Sequence, residues 1–246
     1  MLPKLSKRTV AAAVGILVLI PAVITFGIVV LDDRKYYLIS LLILAVTMLP
    51  FFMVFEHRRP MARELVTIAV LSAIAVAGRA AFFMLPQFKP VVAIVIITGV
   101  TLGPEAGFLV GAMAGFVSNF FFGQGPWTPW QMFCFGIIGF LAGILVQKGL
   151  LPRKRWALCL FGGVATVVVY GGIINVGSVI MFSGTLTWKA VLASYASGFP
   201  FDLVHAGATA FFLLVLANPM MEKIQRIQIK YGLLEPEESG DSPPSA

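Results

Sequence analysis

The chain reads as an all-α polytopic membrane protein. Three observations carry that reading. Of its 246 residues, 59% are hydrophobic and only 12% are charged, with a mean hydropathy of +0.95, against about 25% charged residues in soluble domains. Apolar runs follow one another, and roughly 20 such residues suffice to cover about 30 Å of hydrocarbon at 1.5 Å per residue. Basic residues fall in alternate loops between these runs, the pattern that orients membrane helices. The net charge of +7 therefore marks membrane orientation and calls for no nucleic-acid partner.

The spans are expected near 9–31, 36–55, 64–85, 90–103, 105–123, 129–147, 156–182 and 189–217. The first, TVAAAVGILVLIPAVITFGIVVL, exceeds the ~7–15 residues of a signal-peptide core and has no small-residue cleavage site, so it is expected to be retained. The fourth and fifth are short and separated only by the turn TLGPEAG. Between the fifth and sixth lies NFFFGQGPWTPWQMF, where Pro126 and Pro129 interrupt the helix and the flanking glycines allow a tight loop. The tail EPEESGDSPPSA has the acidic, Pro- and Ser-rich composition of disorder. The chain thus divides into a segment with the first two spans (1–59), a segment with the other six (60–218) and a tail (219–246).

Eight spans place both termini on one side. The segments expected inside carry Lys4, Lys7, Arg8, Arg58, Arg59, Arg63, Lys148, Arg153, Lys154, Arg155, Lys223, Arg226 and Lys230, whereas the opposite loops carry Arg34, Lys35, Lys89 and Lys189. Thirteen against four predicts that both termini are cytoplasmic in this multi-pass protein. The remaining basic residue, Arg79, falls inside a span.

Ionisable groups within a span cost about 2.5–3.5 kcal/mol at the bilayer centre on insertion scales, so each is a candidate for function. Arg79, Asp202 and His205 are such groups. Arg79 is expected about six residues below the outer end of its helix, hence roughly 9 Å deep. Asp202 follows Pro200, which removes a helical hydrogen bond, and His205 lies three residues further on the same face. Asn119, Gln131, Asn175 and Tyr195 also fall in the outer halves of their spans. One reading is a satisfied network in which Asp202 pairs with Arg79; the other is a one-sided polar pocket. Gln124, Trp127 and Trp130 in the charge-free loop fit either an interfacial aromatic belt or a lid over that pocket.

Small residues form two stripes. Ala69, Ala73, Ala77 and Ala81 recur every four residues on one helix, and Gly107, Gly111 and Gly115 on another. Such stripes let helix backbones approach closely; the glycines suit packing within the chain, and the alanines could dock a partner. Cys134 and Cys159 lie in spans without metal-ligand spacing, and no cofactor or metal is expected. No phosphate-binding loop, HExxH or GxSxG motif is present, so neither an ATP motor nor an enzyme is expected.

The stretches QFKPVVAIVIITGVTLGPEAGFLVGAMAGFVSNFFFGQGPWTPWQM and GFPFDLVHAGATAFFL, with the six-span layout over residues 60–220, resemble the S components of energy-coupling factor (ECF) transporters, closest to the cobalamin-associated branch. The resemblance implies a six-helix substrate-binding membrane core (60–218) preceded by two additional transmembrane helices (1–59), in a subunit of a prokaryotic plasma membrane that captures a vitamin at the outer face. Release inward would follow association with a transmembrane coupling subunit and two ATPases. It also implies that Ala69, Ala73 and Ala77 form the docking surface for the coupling subunit, and that Trp127 and Trp130 stack on the ligand while Gln131 bonds its polar edge. The expected substrate-binding set is Arg79, Asn119, Gln124, Trp127, Trp130, Gln131, Asn175, Tyr195, Asp202 and His205. The alternative is an ion-coupled secondary transporter of a small molecule, using Asp202 and His205 as a proton relay.

Overall fold

The computed structural model describes residues 62–183 and 187–230, together with the isolated positions Val18 and Ala22. Those two positions aside, the spans expected at 9–31 and 36–55 lie outside the described residues, as does the chain from 231 onward. The described residues contain six helices and no strand. They are α1 (Ala62–Ala81), α2 (Val91–Leu102), α3 (Pro104–Phe122), α4 (Trp127–Gln147), α5, and α6 (Trp188–Lys230). Helix α5 runs from Arg155–Ala165 through a π-helical segment, Thr166–Gly171, into Gly172–Ser183. All except α2 are long and apolar enough to cross a membrane, and the protein is an all-α polytopic membrane protein.

Each of the six spans expected between 64 and 217 has its helix, with two shifts of boundary. Helix α1 stops at Ala81, four residues early, because the chain turns ahead of Pro86 and Pro90; Phe83 N donates to Ala80 O (3.0 Å) and Leu85 N to Phe82 O (3.1 Å). Arg79 therefore lies in the last turn of α1. Helix α6 continues through Pro219 to Lys230. A proline removes one ladder bond, and here the extension is held by buried Ile224 and by Gln228, whose Nε2 donates to Thr101 O (3.2 Å).

Helix α2 forms the centre of the bundle. Its residues Val91 through Val100 are all buried, and a helix apolar on every side is stable only when surrounded. Twelve residues give about 18 Å of helix, short of the roughly 30 Å hydrocarbon layer. The chain reverses into α3 at Gly103, whose φ of 104° requires glycine. Gly99 and Gly107, placed symmetrically about this turn, face each other: a Cβ on Gly107 would stand 2.7 Å from the Gly99 Cα.

The glycine stripe continues this seam. A Cβ on Gly111 would meet the Phe135 carbonyl carbon at 2.5 Å and Gly136 N at 2.6 Å, and one on Gly139 would meet Gly107 O at 2.6 Å. Helices α2, α3 and α4 thus touch backbone to backbone, as expected of this stripe. Ala69, Ala73 and Ala77 behave oppositely. They are exposed on α1 and line an apolar groove of about 610 Å³ shared with α3.

Contacts fix the helix directions. Arg79 at the end of α1 meets Ser118 and Asn119 near the end of α3 and Gln131 near the start of α4, whereas Gln228 late in α6 meets Thr101 late in α2. The helices alternate up and down, so one end of the bundle collects the C-terminal turns of α1 and α3 and the first turns of α4.

The seam makes a testable contrast. Gly111→Ala should lower stability in detergent by about 1–3 kcal/mol through overpacking, read by thermal unfolding. Gly163→Ala, where a Cβ meets nothing within 4 Å, should be neutral or stabilising by up to about 1 kcal/mol.

Candidate functional site

At that end of the bundle Arg79 is buried, with 8% of its surface exposed. Its Nη1 donates to Ser118 Oγ and to Asn119 Oδ1 (2.9 Å), and its Nη2 reaches Gln131 Oε1 (3.4 Å). The guanidinium carbon lies 4.5 Å from the centroid of Phe122 and 5.8 Å from that of Phe135, within the range where aromatic faces attract a cation. None of the partners is a carboxylate. The polar groups are themselves braced: Ser118 Oγ donates to Ala114 O (2.5 Å), and Asn119 Nδ2 donates to Thr128 Oγ1 (3.1 Å) and Gln131 Oε1 (3.0 Å).

Next to Arg79 opens a cavity of about 320 Å³, lined among others by Lys89, Gln131, Phe135, Tyr170 and His205. The segment from α1 to α2 closes one side. It is tied down by Lys89, whose ammonium donates to Phe82 O (2.8 Å) and Leu85 O (2.7 Å) and sits 5.4 Å from the Phe122 ring centre. Desolvation, and then the like charge of Arg79, hold the Lys89 pKa below the usual lysine range. The opposite wall is aromatic: Phe135 and Tyr170 stack at 5.2 Å, and His205 stands edge-on to Tyr170 at 4.7 Å. Gln131 Nε2 donates to the Tyr170 hydroxyl (3.4 Å). His205 is 3% exposed, and its Nδ1 has no hydrogen-bond partner.

A second polar cluster joins α5 to α6. Asn175 Nδ2 donates to Asp202 Oδ2 and to Gly171 O, both at 2.8 Å. Ser194 Oγ donates to Asn175 O (3.0 Å), and the exposed Tyr195 hydroxyl to Gly172 O (2.7 Å). The π-helical segment ends at Gly171, and its last carbonyl and the next one are the acceptors. Such segments recur at functional sites, and this one carries Tyr170 into the cavity wall.

Of the residues expected to form the site, Arg79, Gln131 and His205 line the cavity and Asn119 stands directly behind Arg79. Asn175, Tyr195 and Asp202 belong to the second cluster. Gln124, Trp127 and Trp130 do not line the cavity. Gln124 Nε2 donates to Phe116 O (3.0 Å) while its Oε1 accepts from Thr128 (2.9 Å); the Trp127 ring covers Gly125, and Trp130 packs on Gly177. Neither the Arg79–Asp202 pair nor an Asp202–His205 hydrogen bond forms. Lys89, Phe135 and Tyr170 were not expected in the site; Lys89 reads in sequence as an ordinary loop charge, and the other two as lipid-compatible aromatics.

These features define a helical membrane protein with a polar cavity at one end of its bundle, which is the layout of a small-molecule receptor. The profile of the ECF transporter substrate-specific component matches residues 63–217, and the chain belongs to that family. It is 34% identical over 123 residues to the UPF0397 protein of Vibrio atlanticus (strain LGP32), covering 45% of this chain and 67% of that protein. It is 31% identical over 119 residues to the UPF0397 protein of Aliivibrio fischeri (strain MJ11), covering 42% of this chain and 64% of that protein. The chain thus spans about two thirds of the length of these relatives. No solved structure matches it.

Asn119 is the keystone of the Arg79 shell. Asn119→Leu should cost about 1–3 kcal/mol by withdrawing an acceptor from a buried cation, whereas Asp202→Asn, which keeps a carbonyl oxygen for Asn175, should stay within about 1 kcal/mol of the parent. Thermal unfolding of the two purified variants checks both.

Proposed function

We propose that the chain is the membrane-embedded substrate-binding subunit of an ATP-driven ECF uptake transporter in a prokaryotic plasma membrane, with the cavity beside Arg79 as its substrate site. The observation that carries this reading is a preformed polar cavity at one end of the bundle in a chain of the substrate-specific family. The distribution of basic residues supports an outward-facing Arg79 end and cytoplasmic termini. Substrate is captured there. Inward release is driven by a transmembrane coupling subunit and two ATPases, since the chain carries no phosphate-binding loop of its own.

The exposed stripe Ala69, Ala73 and Ala77 and its groove suit a helix of the coupling subunit, because small residues let backbones approach. Cobalamin is the substrate implied by the resemblance. A cavity of about 320 Å³ lies at the small end of the ~300–1,000 Å³ typical of ligand sites, which favours a smaller vitamin-like molecule. The ion-coupled alternative is weakened by the lack of a hydrogen bond between Asp202 and His205, the two groups it needs.

Two measurements test the reading. A ligand that binds only the folded state raises apparent stability, by about 2.7 kcal/mol at a hundred times its Kd. Thermal unfolding with a vitamin panel that includes cobalamin should therefore give a shift with one member. Ala73→Trp should cut uptake by the assembled transporter at least about tenfold, an effect equivalent to about 1.4 kcal/mol, while ligand binding stays unchanged. Equal loss of binding and uptake would count against docking. Accumulation driven by an ion gradient in liposomes holding this chain alone would favour the carrier.

A further inference from the structure

Among the described residues the charges around the cavity do not balance. Arg79 and Lys89 both line it. The described residues hold four carboxylates: Glu64, Glu105, Asp202 and Glu222. Glu64 and Glu105 stand in the first turns of α1 and α3, and Glu222 late in α6, all toward the opposite end of the bundle. Asp202 is engaged by Asn175 and does not line the cavity.

Donor capacity is also left over. A guanidinium has five N–H donors, and three of those of Arg79 go to neutral oxygens of Ser118, Asn119 and Gln131. An ammonium has three, and two of those of Lys89 go to backbone carbonyls. Burying a cation among neutral acceptors is costly. An incoming anion relieves that cost and finds free donors on both groups, and charge-assisted bonds from arginine are the strong ones.

The third observation concerns shape. Beside these cations the lining includes the ring group Phe135, Tyr170 and His205, and such faces and edges receive a flat ring well. His205 completes that group by its ring. Resting on the substrate-site reading above, we infer that the transported ligand is a small organic anion in which a carboxylate or phosphate is borne on a flat unsaturated ring. The oxyanion lies between Arg79 and Lys89, and the ring lies against Phe135, Tyr170 and His205.

The test uses the full chain purified in detergent and isothermal titration or thermal unfolding with matched probes. Nicotinate and phenyl phosphate serve as ring anions, nicotinamide and benzyl alcohol as their uncharged counterparts, and cobalamin and thiamine as vitamins that are not small ring anions. One or both anions should bind at least tenfold more tightly than their neutral counterparts, and more weakly as salt rises. Arg79→Gln should weaken anion binding about 10- to 100-fold, the range of a lost hydrogen bond to a charged group. Lys89→Gln, in a surface turn, provides the same test if Arg79→Gln does not fold. Tight binding of cobalamin or thiamine that is insensitive to both substitutions would overturn the anion class and leave the receptor reading standing. No binding by any probe would overturn the anion inference, and together with no shift across the vitamin panel it would overturn both.

Discussion

A buried guanidinium with no carboxylate partner among the described residues is the constraint around which this end of the protein is organised. Arg79 could not persist in an apolar bundle unless several oxygens converged on it, because each unsatisfied polar group in that setting costs several kcal/mol. Helix α3 supplies Ser118 and Asn119, and α4 supplies Gln131. Phe122 and Phe135 add their ring faces. The same arrangement leaves Arg79 lining a cavity, so the group that organises this end of the bundle also borders its open space.

That convergence depends on how closely the central helices approach. Where Gly99, Gly107, Gly111 and Gly139 meet, the backbones of α2, α3 and α4 lie in direct contact, and the seam fixes the register that brings Asn119 beside Gln131. The alanine stripe on α1 uses the same chemistry with the opposite result. Its small side chains face outward and leave a groove, because no helix among the described residues covers that side. Close packing within one group of helices thus coexists with an open apolar face on another.

Much of this was legible in the sequence. Hydropathy runs of transmembrane length located the six helices, and the turn at Gly103 was marked by glycine and proline. Arg79, Gln131 and His205 stood out as polar groups in apolar spans, and they do come together. What hydropathy cannot supply is the direction in which each helix turns its side chains. Asp202 therefore looked like a partner for Arg79, yet it faces Asn175. Tyr170 entered the site through a π-helical segment that no apolar pattern announces. Lys89 looked like a loop charge until the early end of α1 folded it back over Phe122. Trp127 and Trp130, in a stretch whose composition suggested a lid, stand in the first turn of α4 and pack on Gly125 and Gly177.

The account turns on which side of the membrane the Arg79 end faces, since a receptor for uptake must open outward. Phe83 lines the cavity and is 56% exposed, so a single cysteine there, Phe83→Cys, reports both access and occupancy. In intact cells it should react with a membrane-impermeant maleimide, and a stabilising ligand should protect it. Labelling that appears only after the membrane is permeabilised would contradict the account.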